Sequence, residues 1–144
     1  MRAISFWALL LHSSLIYAFN VKVLDDICIK PYEGYKYVLC HDVSFSVDGV
    51  VYNIPHHFLT DLASLPRAFW PIASPAKSEL IAPALIHDWL YNMTCDFSRQ
   101  QADLIFYELL RQNKLSVIRA SLLYYGVRSF GWIFYKANYC EDIP

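Results

Sequence analysis

The positions of apolar residues change period near the middle of the chain, and that change sets the expected architecture. Residues 35–45 are rich in Val, Tyr and Phe, and Ser44-Phe45-Ser46-Val47 alternates polar with apolar. Asp48-Gly49 follows, then Val50-Val51-Tyr52-Asn53-Ile54. An Asp-Gly between two such runs predicts a hairpin. Pro55, Pro66, Pro71 and Pro75 punctuate the next stretch, which reads as loop. Beyond it the period becomes helical. Ser78 can cap a helix running to about Tyr91, with Pro83 near its first turn or kinking it. Ser98 and Gln101 form a capping box that opens a helix to about Gln112, with Ala102, Ile105, Phe106, Leu109 and Leu110 as its apolar stripe. A last helix is expected from Ser116 to Tyr135, with Val117, Ala120, Leu123, Tyr124, Val127 and Phe134 on one stripe and Arg119 and Arg128 elsewhere. The sum is an α+β domain: a small N-terminal antiparallel sheet, a proline-rich loop, then about three packed helices.

Composition narrows the class. The 144 residues are 56% hydrophobic and 17% charged, which fits a single packed domain and excludes a disordered chain. Twelve Lys and Arg against thirteen Asp and Glu leave a net charge of −1 with no basic block, so nucleic acid is excluded as a partner. Mean hydropathy is high at +0.27, and part of that belongs to the N-terminus. Met1 and Arg2 precede an apolar run from Ala3 to Leu11, and Ala18 is a small residue at a suitable cleavage position. The run is shorter than the roughly 20 residues of a membrane helix, so residues 1–18 read as a secretory signal, with an N-terminal anchor as the alternative. Residues 19–144 then form the mature domain, placed in the periplasm, the medium or the envelope.

The cysteines agree with export. Cys28, Cys40, Cys95 and Cys140 all follow the proposed cleavage point, and an even count suits two disulfides with three possible connectivities. Cys28 with Cys40 and Cys95 with Cys140 is the expected pairing, since it joins regions near in the chain or within the helical half. No cysteine or histidine spacing suggests zinc. The last helix is long and apolar, but two central arginines would each cost about 3 kcal/mol in a bilayer. It is expected in the core, with contact to a membrane surface as the alternative.

Chemistry is concentrated where polar residues interrupt apolar runs. One segment is Thr60-Asp61-Leu62-Ala63-Ser64-Leu65-Pro66-Arg67. Another is His87-Asp88-Trp89-Leu90-Tyr91, and a third is Ala102-Asp103-Leu104-Ile105-Phe106. Adjacent residues on a helix point about 100° apart, so His87 and Asp88 serve different contacts. Asp103 meets His87 if the two helices pack antiparallel, and a carboxylate-oriented histidine is a general base. The competing reading is structural: His87, Asp88, Asp61 and Asp103 as a buried polar network that fixes helix docking.

The four motifs in order, ending with Val127-Arg128-x-Phe130-Gly131, resemble the phage and bacterial family known as domain of unknown function 1353, over about residues 50–132. That family implies a phage or bacterial source and no activity. The His-Asp-x-x-Tyr helix followed by a capped helix with Ala-Asp-x-x-Phe is also similar to the phospholipase A2 core. This likeness implies His87 as the base, Asp103 as its orienting carboxylate, Asp88 as a calcium ligand and Tyr91 as a support. It implies an ester substrate, a phospholipid first, and a lipid surface as partner. The chain departs from that superfamily in having no glycine between Val50 and Asp88, and in placing Pro83 and Ala84 where its cysteines stand. Asp61 as a replacement ligand, Arg67 on an oxyanion or phosphate, and Thr60 and Ser64 beside them would rebuild the missing part. A His-Asp phosphohydrolase is disfavoured, because His41, His56 and His57 fall in or beside the strands. Oligomeric state is open.

Overall fold

The computed structural model describes residues 18–62, 77–92 and 96–136. The signal or anchor segment, Ser64, Arg67 and the Cys95–Cys140 pairing lie outside the described residues.

Six short strands precede three helices. Strands β1 (Val21–Val23), β4 (Val43–Val47) and β5 (Val50–Ile54) form one antiparallel sheet in the order β1-β4-β5. Strands β2 (Ile29–Pro31), β3 (Tyr37–Leu39) and β6 (Leu59–Thr60) form a second, in the order β2-β3-β6. The expected hairpin is present: Val47 pairs with Val50, and Asp48 and Gly49 take φ of 50° and 88°. Both central residues of such a turn need positive φ, which Asp tolerates and Gly adopts freely. Asp48 also ties down the N-terminal strand, accepting from Asn20 N–H at 2.9 Å.

The Val-, Tyr- and Phe-rich stretch over residues 35–45 is divided between two strands, which join different sheets. The cut is made at Cys40 to Asp42. Cys40 is disulfide-bonded to Cys28, with Cα atoms 5.3 Å apart, and Asp42 turns aside to accept the backbone N–H of His56 at 2.8 Å. The Cys28–Cys40 pairing therefore staples the β2–β3 hairpin.

The helices are α1 (Ser78–Asn92), α2 (Arg99–Gln112) and α3 (Val117–Phe130). Ser78 is the first helical residue of α1 rather than the residue before it. Pro83 sits inside α1 and cannot donate to the carbonyl of Glu79, four residues back. That carbonyl is not orphaned, since Asn113 Nδ2, at the C-terminal cap of α2, donates to it at 2.8 Å. Helix α2 opens with the expected capping box of Ser98 and Gln101.

Helix α3 ends five residues earlier than expected. Gly131–Ile133 form a 3-10 turn, and Phe134 and Tyr135 both donate to the Gly131 carbonyl. Of the expected α3 stripe, Ala120, Leu123 and Val127 are buried, whereas Val117 and Phe134 are exposed. Phe134 lies beyond the helix, so the 3.6-residue period no longer sets its direction.

Two apolar clusters share α2. Val43, Phe45, Val47 and Ile54 of the first sheet pack with Leu85, Ile86, Trp89 and Leu90 of α1 and with Ile105 and Leu109 of α2. Phe106 and Leu110, on another side of α2, pack with Leu115, Ala120, Leu123 and Val127. No helix among the described residues is long and apolar enough to cross a membrane.

Candidate functional site

The apolar stripe of α2 carries one carboxylate, Asp103, and the fold closes over it completely. Asp103 is 0% exposed, and His87, which faces it, is 1% exposed. Helices α1 and α2 pack side by side, which brings residues sixteen apart in the chain to hydrogen-bond distance. His87 Nε2 donates to Asp103 Oδ1 at 2.8 Å, and Tyr91 Oη donates to the same oxygen at 2.5 Å. His87 and Tyr91 are one helical turn apart on α1, so both reach one acceptor. Arg128 of α3 donates to the other oxygen, Oδ2, at 2.7 Å, and Arg99 Nη1 lies 3.7 Å from it. Arg99 also donates to the carbonyl of Arg128 at 3.0 Å. One carboxylate thus joins all three helices.

Electrostatics fix the protons. Burial pushes the Asp103 carboxyl up, but the hydrogen bonds from His87 and Tyr91, the charge of His87 and the Arg128 bond together hold it below its ordinary value. Burial pushes the Tyr91 phenol up, and its bond to Asp103 adds to this, so Tyr91 stays protonated as a donor. With Asp103 ionised, the shared proton belongs to His87 Nε2. Nδ1 is the ring nitrogen left outside this bond.

Asp88 points elsewhere, as the 100° step requires. Thr60 Oγ1 donates to Asp88 Oδ2 at 2.5 Å and accepts the Leu62 N–H at 3.0 Å. This turn holds Leu62 at a φ of 54°, a left-handed conformation costing about 1–2 kcal/mol in a residue with a Cβ. Asn92 Nδ2 donates to the Asp88 carbonyl at 2.7 Å. Thr60, Asp61, Asp88 and Asn92 line a cavity of about 330 Å³, together with Lys36 and Lys136. Its lining carries two carboxylates and two ammonium groups.

The six described residues expected at the site therefore form two groups. His87, Tyr91 and Asp103 come together in the buried network, and Thr60, Asp61 and Asp88 at the cavity. Four further charges were not foreseen: Arg99 and Arg128 at Asp103, and Lys36 and Lys136 at the cavity. Arg128 stands in the fourth motif, yet on the helical wheel it falls off the core stripe, and only its length lets it reach inward. Arg99 could have been found from its i,i+4 spacing to Asp103.

The oxygen donors of Thr60, Asp61, Asp88 and Asn92 suit a hard cation such as calcium in kind. No group of three or more His, Cys, Asp or Glu side chains able to hold a metal occurs among the described residues.

The 3-10 turn seals the network from one side. A Cβ built on Gly131 would fall inside contact distance of Tyr91 Oη and 3.1 Å from its Cε2. Lys136 N–H donates to the Tyr91 carbonyl at 3.1 Å, and the Tyr135 ring packs edge-on against Tyr91 at 5.2 Å. Gly131 has φ −62°, so alanine there meets no backbone strain, and any loss is steric. Gly131→Ala is expected to cost about 1–3 kcal/mol in a thermal melt, as overpacking does. It should also speed amide exchange at Lys136, and unchanged stability would show that the turn yields freely.

A family model for proteins of unknown function, DUF1353, matches residues 37–127. An uncharacterized protein of Sinorhizobium fredii is 32% identical over 89 residues, which are 59% of this chain and 36% of that protein. The match thus spans little more than a third of that relative's length. No solved structure matches the chain. The matched stretch contains the strained Thr60–Leu62 turn, His87, Asp88, Tyr91 and Asp103, and the chain belongs to the DUF1353 family of proteins of unknown function.

Proposed function

We propose that the chain is an ester hydrolase in which His87 is the general base, with a phospholipid as the leading substrate class. One observation carries this reading: His87 Nε2 donates to the ionised Asp103, which leaves Nδ1 as the basic nitrogen. In this role Nδ1 takes a proton from the attacking water, and Asp103 stabilises the imidazolium that forms. Tyr91 and Arg128 hold the carboxylate in place so that the ring does not turn. The cavity lined by Asp88, the residue that follows His87 on α1, would receive the substrate. Its paired charges suit a cation and an anionic ester together better than either alone. Calcium held by Asp88 and Asp61 would polarise the ester carbonyl.

The decisive experiment is hydrolysis of phospholipid and short-chain ester substrates, with calcium and with a chelator, by wild type, His87→Asn and Asp88→Asn. Loss of a general base is expected to reduce the rate roughly 10²–10⁴-fold. Asp88→Asn should remove the calcium dependence. Full activity in His87→Asn would exclude the mechanism.

A second reading is favoured by burial. His87 at 1% and Asp103 at 0% exposure form a network closed to solvent, as a purely structural polar clamp would be. In that case the protein acts as a non-catalytic envelope or virion component. Wild type would then hydrolyse none of the substrates, and His87→Asn would lower stability alone.

A further inference from the structure

Helix α3 is apolar on both sides, and the described domain covers only one. Ala120, Leu123 and Val127 are fully buried toward α2. On the opposite side Ile118, Leu122 and Tyr125 recur at i, i+4 and i+7 and are 74%, 44% and 66% exposed. The 3-10 turn adds exposed Trp132, at 66%, and Ile133, at 59%, the latter also at the rim of the cavity. A helix hydrophobic all round is ordinarily buried all round. A continuous apolar strip left open marks a binding surface.

Charge selects the partner. From Arg111 to Lys136 there are five cations and no acidic residue, in a chain whose net charge is −1. Arg128 is engaged by Asp103, and Arg119 lies 3.4 Å from Glu79. Arg111, which also donates to the Leu115 carbonyl, and Lys114 precede α3, and Lys136, which also lines the cavity, follows the 3-10 turn. An apolar strip with Tyr and Trp, rimmed by cations, matches the boundary between headgroups and acyl chains of an anionic bilayer. A second copy is a poorer occupant, since it would set cations against cations. The turn is also held from within, by the Lys136 to Tyr91 bond and by the close approach of Gly131 to the Tyr91 ring.

We infer that the outer face of α3 and the 3-10 turn form a docking surface for an anionic lipid membrane. The helix lies along the bilayer plane, with Tyr125 and Trp132 at headgroup depth. The full chain would be sedimented with vesicles containing phosphatidylglycerol and with vesicles of phosphatidylcholine alone. Wild type should bind the anionic vesicles, more weakly at raised salt, and should not bind the neutral ones. Ile118→Glu and Trp132→Glu should each weaken binding roughly tenfold or more, since each places a carboxylate in the contact. Both positions are exposed, so the variants should melt with wild type. Val50→Glu, on the exposed tip of the β4–β5 hairpin, should bind as wild type does. Failure of wild type to bind anionic vesicles would overturn the proposal, as would binding indifferent to both strip variants. A dimer in solution that Ile118→Glu dissociates would also overturn it, and would name a second copy as the occupant. Binding is read without turnover, so a chain that docks and hydrolyses nothing loses the hydrolase reading and keeps this one.

Discussion

Asp103→Ala is expected to cost about 3–5 kcal/mol and to lower the melting temperature by roughly 10–20 °C. The loss exceeds that of a typical hydrogen bond because three donors are stranded at once. His87 Nε2, Tyr91 Oη and Arg128 Nη1 all end on this carboxylate, and its surroundings exclude the water that could replace it. Arg128 would be left as a charge drawn inward with no counter-charge. Asp103→Asn keeps the shape and one acceptor oxygen, so about 2 kcal/mol is expected. The pH dependence has a fixed sign. Asp103 titrates below an ordinary carboxyl, so its contribution is complete above the unfolded value near pH 4 and is lost as pH falls through the folded value. The stability gap between wild type and Asp103→Asn should therefore close on acidification below about pH 4. Denaturant unfolding across a pH series measures it. A gap that stays constant would mean that the carboxylate charge adds nothing.

Phe45→Ala should cost a similar amount, about 3–5 kcal/mol. Phe45 is 0% exposed at the centre of β4, stacked on Tyr52 at 5.5 Å and edge-on to Trp89 at 5.6 Å. It is one of the contacts through which the first sheet meets α1. Truncation leaves a cavity walled by two rigid rings, which cannot collapse into it as flexible aliphatic chains would. In urea the midpoint should fall with the slope unchanged. Val51→Ala, on the same hairpin but 61% exposed, should stay within about 0.5 kcal/mol of wild type.

The features legible in the sequence were those with local causes. The Asp48-Gly49 turn, the Ser98–Gln101 box and the apolar stripe of α2 each follow from residues a few positions apart. The meeting of His87 with Asp103 needed one further assumption, antiparallel packing across a short loop. What escaped had distant causes. Strands β2, β3 and β6 are two or three residues long, too short for any alternation to show. The end of α3 is set by the contact of Gly131 with Tyr91, forty residues away, while the local run stays apolar through Tyr135. The Thr60–Asp88 bond spans 28 residues and depends on a left-handed Leu62, which no propensity anticipates. The two lysines at the cavity reach it from the β2–β3 hairpin and from beyond α3. Neither has a sequence neighbour that points there.

The order of sheet and helix along the chain also sets an order of events during synthesis. The first sheet can close as soon as β5 is made, because β1, β4 and β5 pair through nearby segments. Its apolar face then waits for Trp89, 35 residues after the end of β5 at Ile54, to leave the ribosome. At about 5–20 residues per second that interval is roughly 2–7 s. Pairing of strands in the microsecond range is far faster. The nascent chain therefore holds a formed sheet with Val43, Phe45 and Val47 uncovered for seconds. That interval, before the first helix is complete, is when the apolar face of the sheet has no cover from its own chain.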